Sequence, residues 1–131
     1  MVVDTSAIVA LLLGEPQAGQ IDSVLAGEVR TTISAANYVE LMVVAESRTG
    51  AEGALIVEQL LRTFDVDIEP VSPDIARGAL DGWRRFGKGR HPAALNFGDC
   101  FSYALAISRD EPLLYVGNDF AQTDVTSALD G

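Results

Sequence analysis

The chain begins MVVDTSAIVALLLG, residues 1–14, and the reading of this stretch decides the fold. Met1 to Asp4 reads as a short strand that ends on an acid. Ser6 to Leu13 reads as a helix, stopped by Gly14, the residue that most readily takes the left-handed conformation at a helix end. A strand feeding directly into a helix is the first half of a β–α–β unit, and the rest of the chain continues the alternation. Pro16 opens a second helix to about Ala26. The β-branched run Val29 to Ser34 reads as the second strand. Ala35 to Ser47 is helical and apolar nearly all round, so burial is expected. Ala51 to Phe64 is a further helix with Glu58 and Arg62 paired at i, i+4 on its outer face. Val66 to Glu69 is a third strand, Pro73 to Phe86 an amphipathic helix and Gly87 to Ala94 a loop. Phe97 to Ser108 is helical, and Leu113 to Val116 is strand four. The tail from Gly117 is turn-rich, with room for one more short strand or helix. Such alternation implies a parallel sheet covered by helices on both faces, and ligands of such sheets bind at the carboxyl ends of the strands.

The chain has 131 residues, the size of one domain spanning 1–131. Hydrophobic residues are 48% and charged residues 21%, too apolar for disorder. The single cysteine, Cys100, excludes a disulfide framework and a Cys-based zinc site, and the single histidine, His91, excludes a two-His metal site. The longest apolar run, Ala7 to Leu13, is too short to cross a membrane. The first basic residue is Arg30, so the start lacks the charge of a signal peptide. The expectation is a soluble, cytoplasmic protein with no membrane partner. Nine Lys and Arg against 19 Asp and Glu leave a net charge of −10. That field repels nucleic acid, so a nucleic-acid role needs cations recruited locally, as metal ions or a basic patch.

Most of the acids border turns or sit on solvated helix faces. Four have apolar neighbours: Asp4, Glu40 in YVELMVV, Asp99 in NFGDCFSYALAI, and Asp119 in LLYVGNDF. Taken singly, three have structural readings. Asp4 reads as the cap of the following helix, Asp99 as the third-position acid of a capping pair with Asn96, and Asp119 as an Asx-turn residue. Glu40 has no basic residue within one turn and needs a partner if it is buried. Taken together they suggest one rim of one sheet: Asp4 and Asp119 follow strands, Glu40 lies early in the helix after strand two, and Asp99 opens the helix that feeds strand four. Two carboxylates in contact repel by roughly 4 kcal/mol at a surface-like dielectric. With no His or Cys among the donors, the fitting counter-charge is a hard cation, Mg²⁺ or Mn²⁺. Such a site suits phosphoryl chemistry, activating water and stabilising charge on the leaving oxygen.

These motifs in combination resemble a PIN domain: D-T-S at residue 4, the acid of YVE at 40, an aspartate opening a helix at 99, and G-N-D-F-A-Q-T-D from Gly117 to Asp124. More narrowly the chain is similar to the VapC-type toxins of bacterial type II toxin–antitoxin pairs, over essentially its whole length. The resemblance implies a three-layer α/β/α fold with a central parallel sheet and a Mg²⁺-dependent endoribonuclease that inhibits growth or translation. Carried over by position, Asp4 and Asp99 are the main metal ligands. Glu40 positions or deprotonates the attacking water, or holds a second metal through water, and Asp119 completes the cluster. Thr5 and Ser6 are candidates for contacting RNA or supplying hydroxyls, with helix capping as the alternative. Asp124 reads as a secondary ligand or, preferably, a turn residue. The implied partners are RNA, a cognate antitoxin protein and a second copy of the chain.

A basic stretch, Arg84, Arg85, Lys88, Arg90 and then His91, precedes Asp99. Cations at a helix C-terminus are ordinary, but Lys88 and Arg90 on the loop are candidates for the RNA backbone. His91 reads as an exposed phosphate or solvent contact. Trp83 is placed in the core in preference to stacking on a base, and Cys100 reads as a buried small apolar residue. Three rival readings stand beside the ribonuclease. One is a phosphoacceptor on Asp4, weakened by Ser6 where D-x-D is needed and by the lone Lys88. The second is a non-catalytic protein-binding module. The third is a metal-dependent DNA nuclease.

Overall fold

The computed structural model describes residues 1–27 and 30–129. In chain order the elements are β1 (Val2–Val3), α1 (Thr5–Leu13), α2 (Ala18–Leu25), β2 (Thr31–Ser34), α3 (Ala35–Thr63), β3 (Val66–Glu69), α4 (Pro73–Phe86), α5 (Phe97–Arg109) and β4 (Leu113–Leu114), followed by a 3-10 helix, Phe120–Gln122. The strands form one parallel sheet in the order β3-β2-β1-β4. Val3 pairs with Leu114, and the next amide, of Asp4, donates to the Leu114 carbonyl at 2.9 Å. The chain leaves β1 to one side for β2 and β3, then returns to the other side for β4. The crevice at this reversal lies between the carboxyl ends of β1 and β4, where open α/β sheets bind ligands.

Period-two alternation along the strands builds two cores. Val3, Ile33 and Leu114 pack with Ile8, Ile21, Leu41 and Val57 from α1, α2 and α3. Val2 and Leu113 pack on the other face with Ala79, Tyr103 and Leu105 from α4 and α5. Each large apolar side chain so buried contributes roughly 1.5–3 kcal/mol. The result is the expected three-layer α/β/α arrangement. Among the described residues no helix is long and apolar enough to cross a membrane.

Differences from the sequence reading are local. Helix α2 starts at Ala18, with Pro16 in the preceding turn. The described part of the second strand is Thr31–Ser34, and Val29 lies outside the described residues. The two helices expected at Ala35–Ser47 and Ala51–Phe64 run as one element broken at Gly50, whose φ of 78° is the left-handed region that glycine tolerates. The first half is not buried all round: Val39 and Val43 are each 59% exposed, because only its Asn37–Leu41–Ala45 stripe faces the core. Strand β4 stops at Leu114. Beyond it the Val116 amide donates to the Ser6 hydroxyl at 3.0 Å, so a side chain continues the ladder that the backbone leaves.

Candidate active site

Asp4 occupies the point where β1 becomes α1. Its backbone is extended, and Oδ2 accepts the Ser6 amide at 3.0 Å, the ordinary geometry of an N-cap. Its other oxygen, Oδ1, accepts the Ser102 hydroxyl of α5 at 2.5 Å. Capping and site position therefore coincide in one residue that is only 2% exposed. Burial pushes its carboxyl above the usual 3.8, opposed by the Ser102 and Ser6 hydrogen bonds and assisted by the charge of Glu40.

Asp99 likewise combines two roles. The Asn96 side chain accepts the Asp99 amide at 2.9 Å, and Asp99 Oδ2 accepts the Asn96 amide at 3.0 Å, closing the capping box expected from N-x-x-D. Burial pushes its carboxyl up to about 7. The charge of Asp4 is the next cause, and Asp119 and Glu40 add to it against the opposing Asn96 amide. Three other acids thus act electrostatically on Asp99.

Glu40 is half-buried on the second turn of α3. The Thr5 hydroxyl donates to its Oε1 at 2.6 Å, and Asn37 Nδ2 lies 3.3 Å from the same oxygen. Asn37 is wholly buried and also donates to the Gly98 carbonyl at 2.9 Å, tying α3 to the start of α5. The approach there is close. A Cβ on Gly98 would fall 2.1 Å from Glu40 Oε2. Asp119 is exposed at the start of the 3-10 helix, and its side chain makes no capping bond there.

The four carboxylates line one pocket of about 250 Å³, together with Thr5, Ser6 and Asn96. No described residue lining it is basic. Among the described residues no three Asp, Glu, His or Cys side chains already close on a point as a finished metal-binding group; the acids share a wall, not a coordination sphere. The donor chemistry still fits a hard divalent cation: oxygen only, with the Asp99 carboxyl pushed up to about 7 by burial and then by the neighbouring acids, and no basic side chain among the described lining residues.

Three supporting residues were not singled out from sequence: Asn37, Gly98 and Ser102. Asn37 stands three residues before Glu40 and Ser102 three after Asp99, the spacing that puts side chains on one helical face. Gly98 carries no such signal.

The other candidates lie elsewhere. Asp124 is outside the acidic pocket; it accepts the Tyr103 hydroxyl at 2.8 Å and faces Arg85 at 3.6 Å, which ties the tail to α4 and α5. The hydroxyls of Thr5 and Ser6 reach the pocket but are engaged with Glu40 and the Val116 amide. His91 is not an exposed phosphate contact. Its ring is half-buried, edge-on to Phe86 at 5.1 Å, and Nδ1 accepts the Ala93 amide at 3.0 Å, so it organises the loop. Trp83 is not a core residue either: it is 40% exposed, with the Arg90 guanidinium 4.7 Å above its ring. Lys88 lines a second, apolar pocket beside Trp83. Cys100 is buried as expected, and burial pushes its thiol up to about 11, which leaves it unreactive at neutral pH.

Residues 1–125 match the PIN domain family. Ribonuclease VapC of Mycolicibacterium smegmatis is 45% identical over 97% of this chain and 98% of its own. Ribonuclease VapC28 of Mycobacterium tuberculosis is also 45% identical, over 99% and 98%. Among solved structures, the M. tuberculosis VapC20 toxin, described as cleaving the sarcin–ricin loop, superposes with a TM-score of 0.79 at 21% identity, covering 97% of each chain. A toxin–antitoxin complex from Klebsiella pneumoniae gives 0.73 at 22% identity, covering 98% of this chain and 96% of its own. The two superpositions bear on the fold; the two sequence relatives bear on the family.

Proposed function

Because the chain belongs to the PIN-domain family, in its VapC group, we propose that it is a Mg²⁺-dependent endoribonuclease, the toxin of a toxin–antitoxin pair that restrains growth or translation in the cytoplasm. The relatives at 45% identity are named ribonucleases, and a structural neighbour is a toxin with its antitoxin. On this reading the protein takes RNA as substrate, a cognate antitoxin as partner and a second copy as dimer mate. The observation that carries it is the convergence of Asp4, Glu40, Asp99 and Asp119, from four separate elements, on one pocket with no basic lining.

Asp4 and Asp99 would hold the cation, with Asp119 at the open side. When bound, it supplies neutralisation of the phosphate and of the leaving oxygen. The chain's own residues do the rest. Ser102 fixes one oxygen of Asp4, and the capping box fixes one of Asp99, so neither carboxylate swings freely. Thr5 and Asn37 occupy Oε1 of Glu40. Oε2 is then the oxygen that accepts the proton of an attacking water, whose oxygen bonds to phosphorus as the bond from phosphorus to the leaving oxygen breaks; a solvent proton converts the leaving oxyanion to a hydroxyl, leaving a phosphate monoester. Lys88 lines the apolar pocket beside the site and Arg90 lies over its Trp83, where both attract the RNA backbone.

Incubating purified protein with total RNA in Mg²⁺, in Mn²⁺ and in EDTA, then mapping the cut ends, tests the reading. Discrete cuts with either metal and none in EDTA are expected; cuts that persist in EDTA, or no cuts with either metal, overturn it. A second expectation concerns Ser102→Ala. Removing the donor to Asp4 Oδ1 weakens apparent Mg²⁺ affinity by about 10- to 100-fold, the usual effect of losing a group that orients a ligand. Cleavage recovers at high Mg²⁺, and Ser102→Thr restores much of it. Metal titrations of the cleavage rate check this.

A further inference from the structure

We infer that the apolar pocket between α4 and α5 receives an unpaired nucleobase of the RNA strand, beside the phosphodiester cut at the acidic pocket. This rests on the ribonuclease reading and adds to it a base-recognition subsite.

The pocket holds about 470 Å³ and is walled by Leu80, Trp83, Lys88, Asn96, Phe97 and Phe101, among other residues. That volume lies within the range of small-ligand pockets. Asn96 lines both this pocket and the acidic one, so the two adjoin at the start of α5. Phe97 is 80% exposed, one residue from Gly98, which abuts Glu40. Leu80 and Trp83 on the same pocket are 46% and 40% exposed, so Phe97 belongs to a contiguous apolar patch of the kind that marks a contact site. Its ring meets Phe101 edge-on at 5.1 Å, which presents a held aromatic surface.

Charge selects the occupant. The protein carries −10 overall, yet this pocket has Lys88 on its wall and Arg90 stacked on Trp83, with Arg90 Nε fixed by the Arg84 carbonyl at 3.1 Å. Aromatic faces flanked by cations fit a base and its phosphate, a combination that tolerates any base because every base has a π-face. A protein partner or a second copy of this chain can also meet the apolar wall and the cations, but the aromatic faces of Trp83, Phe97 and Phe101 match the flat face of a base and add stacking that an aliphatic side chain lacks. Continuity with the acidic pocket also matters, since a strand threaded past Asp99 must lay its neighbouring nucleotide somewhere.

Trp83 is the only tryptophan, so its fluorescence reports on this pocket alone. The protein is titrated in EDTA, where no cutting is expected, with single-stranded RNA hexanucleotides and with the same hexanucleotides made abasic. The expected result is saturable quenching by the intact strands and at least tenfold weaker response to the abasic ones. Phe97→Ala weakens the intact-strand affinity about tenfold, with the melting curve unchanged because the side chain is exposed. Equal quenching by intact and abasic strands overturns the proposal, as does unchanged affinity in Phe97→Ala. Loss of self-association in Phe97→Ala with RNA affinity intact assigns the pocket to a second copy and overturns it too. If the parent cuts RNA but Phe97→Ala binds and cuts like the parent, the subsite falls and the ribonuclease stands. If the parent cuts nothing while quenching is base-dependent, the ribonuclease falls and base binding stands.

Discussion

Asp99→Asn is expected to cut RNA about 10²- to 10³-fold more slowly than the parent and, in metal-free buffer at pH 8, to melt roughly 5 °C higher. On the proposed reading the rate loss follows from removing one charged ligand: metal stabilisation of developing charge would amount to several kcal/mol, and each 1.4 kcal/mol is about tenfold. The gain in stability has a separate origin. Asp99 is 9% exposed and its carboxyl is pushed up to about 7 by burial, with Asp4, Asp119 and Glu40 adding repulsion. An amide has no charge to bury and can still accept the Asn96 amide, so the capping box survives. The full displacement corresponds to about 4 kcal/mol, an upper bound; with the pocket open to water about 1–2 kcal/mol remains, or roughly 3–5 °C of Tm per kcal/mol for a chain of this size.

The pH dependence has a definite sign. Asp99 holds its proton more tightly folded, near pH 7, than unfolded, near 3.8. Between those values the unfolded chain binds fewer protons, so this group lowers stability progressively as pH rises from about 4 to about 7, with the whole penalty present above that. Thermal melts of the metal-free parent fall over this window, and those of Asp99→Asn fall less. Added Mg²⁺ raises the parent's Tm by mass action on the folded state and raises the variant's less. A variant that melts below the parent at pH 8 shows instead that the carboxylate supports the fold.

The sheet, and the four acids that the fold brings to one pocket, are legible in the sequence because both signals are local. An acid at the end of an apolar strand, as at Asp4 and Asp119, stands out against its immediate neighbours. So does Glu40 in an apolar helix, and the Asn96–Asp99 spacing announces a helix start. What remained hidden depends on other elements. Val39 and Val43 are exposed because α3 turns its Asn37–Leu41–Ala45 stripe to the core, a choice of face that its nearly all-apolar composition does not encode. Trp83 reads as core by type, yet α4 turns it to the rim, where Arg90 covers it. His91 reads as exposed because of its loop, yet Phe86 and the Ala93 amide claim both its ring and its nitrogen. Asn37 and Ser102 share a helical face with an acid, but only the fold shows that they bridge to Gly98 and Asp4.

Gly98→Ala is expected to leave stability within about 1 kcal/mol of the parent while lowering cleavage about 10²-fold. The added methyl would sit 2.1 Å from Glu40 Oε2 and 2.6 Å from its Cδ, distances that no structure tolerates. The cheapest relief is movement of Glu40, because its carboxylate ends a flexible side chain whereas Gly98 is part of a capped helix. That movement breaks the contacts of Oε1 with Thr5 and Asn37, a loss of about 1 kcal/mol each at most. Replacing glycine by alanine inside a helix returns nearly 1 kcal/mol, so the two effects largely cancel in the folding balance. They do not cancel in the reaction, where misplacing a group by about 1 Å costs on the order of 10²-fold. Glu40→Gln should show a rate loss of similar size, and Gly98→Ala combined with it should lose little more, because both act through one carboxylate. Cleavage rates and melting curves of the three variants check this. A double variant whose losses multiply would separate Gly98 from Glu40 and place its role in the backbone of α5.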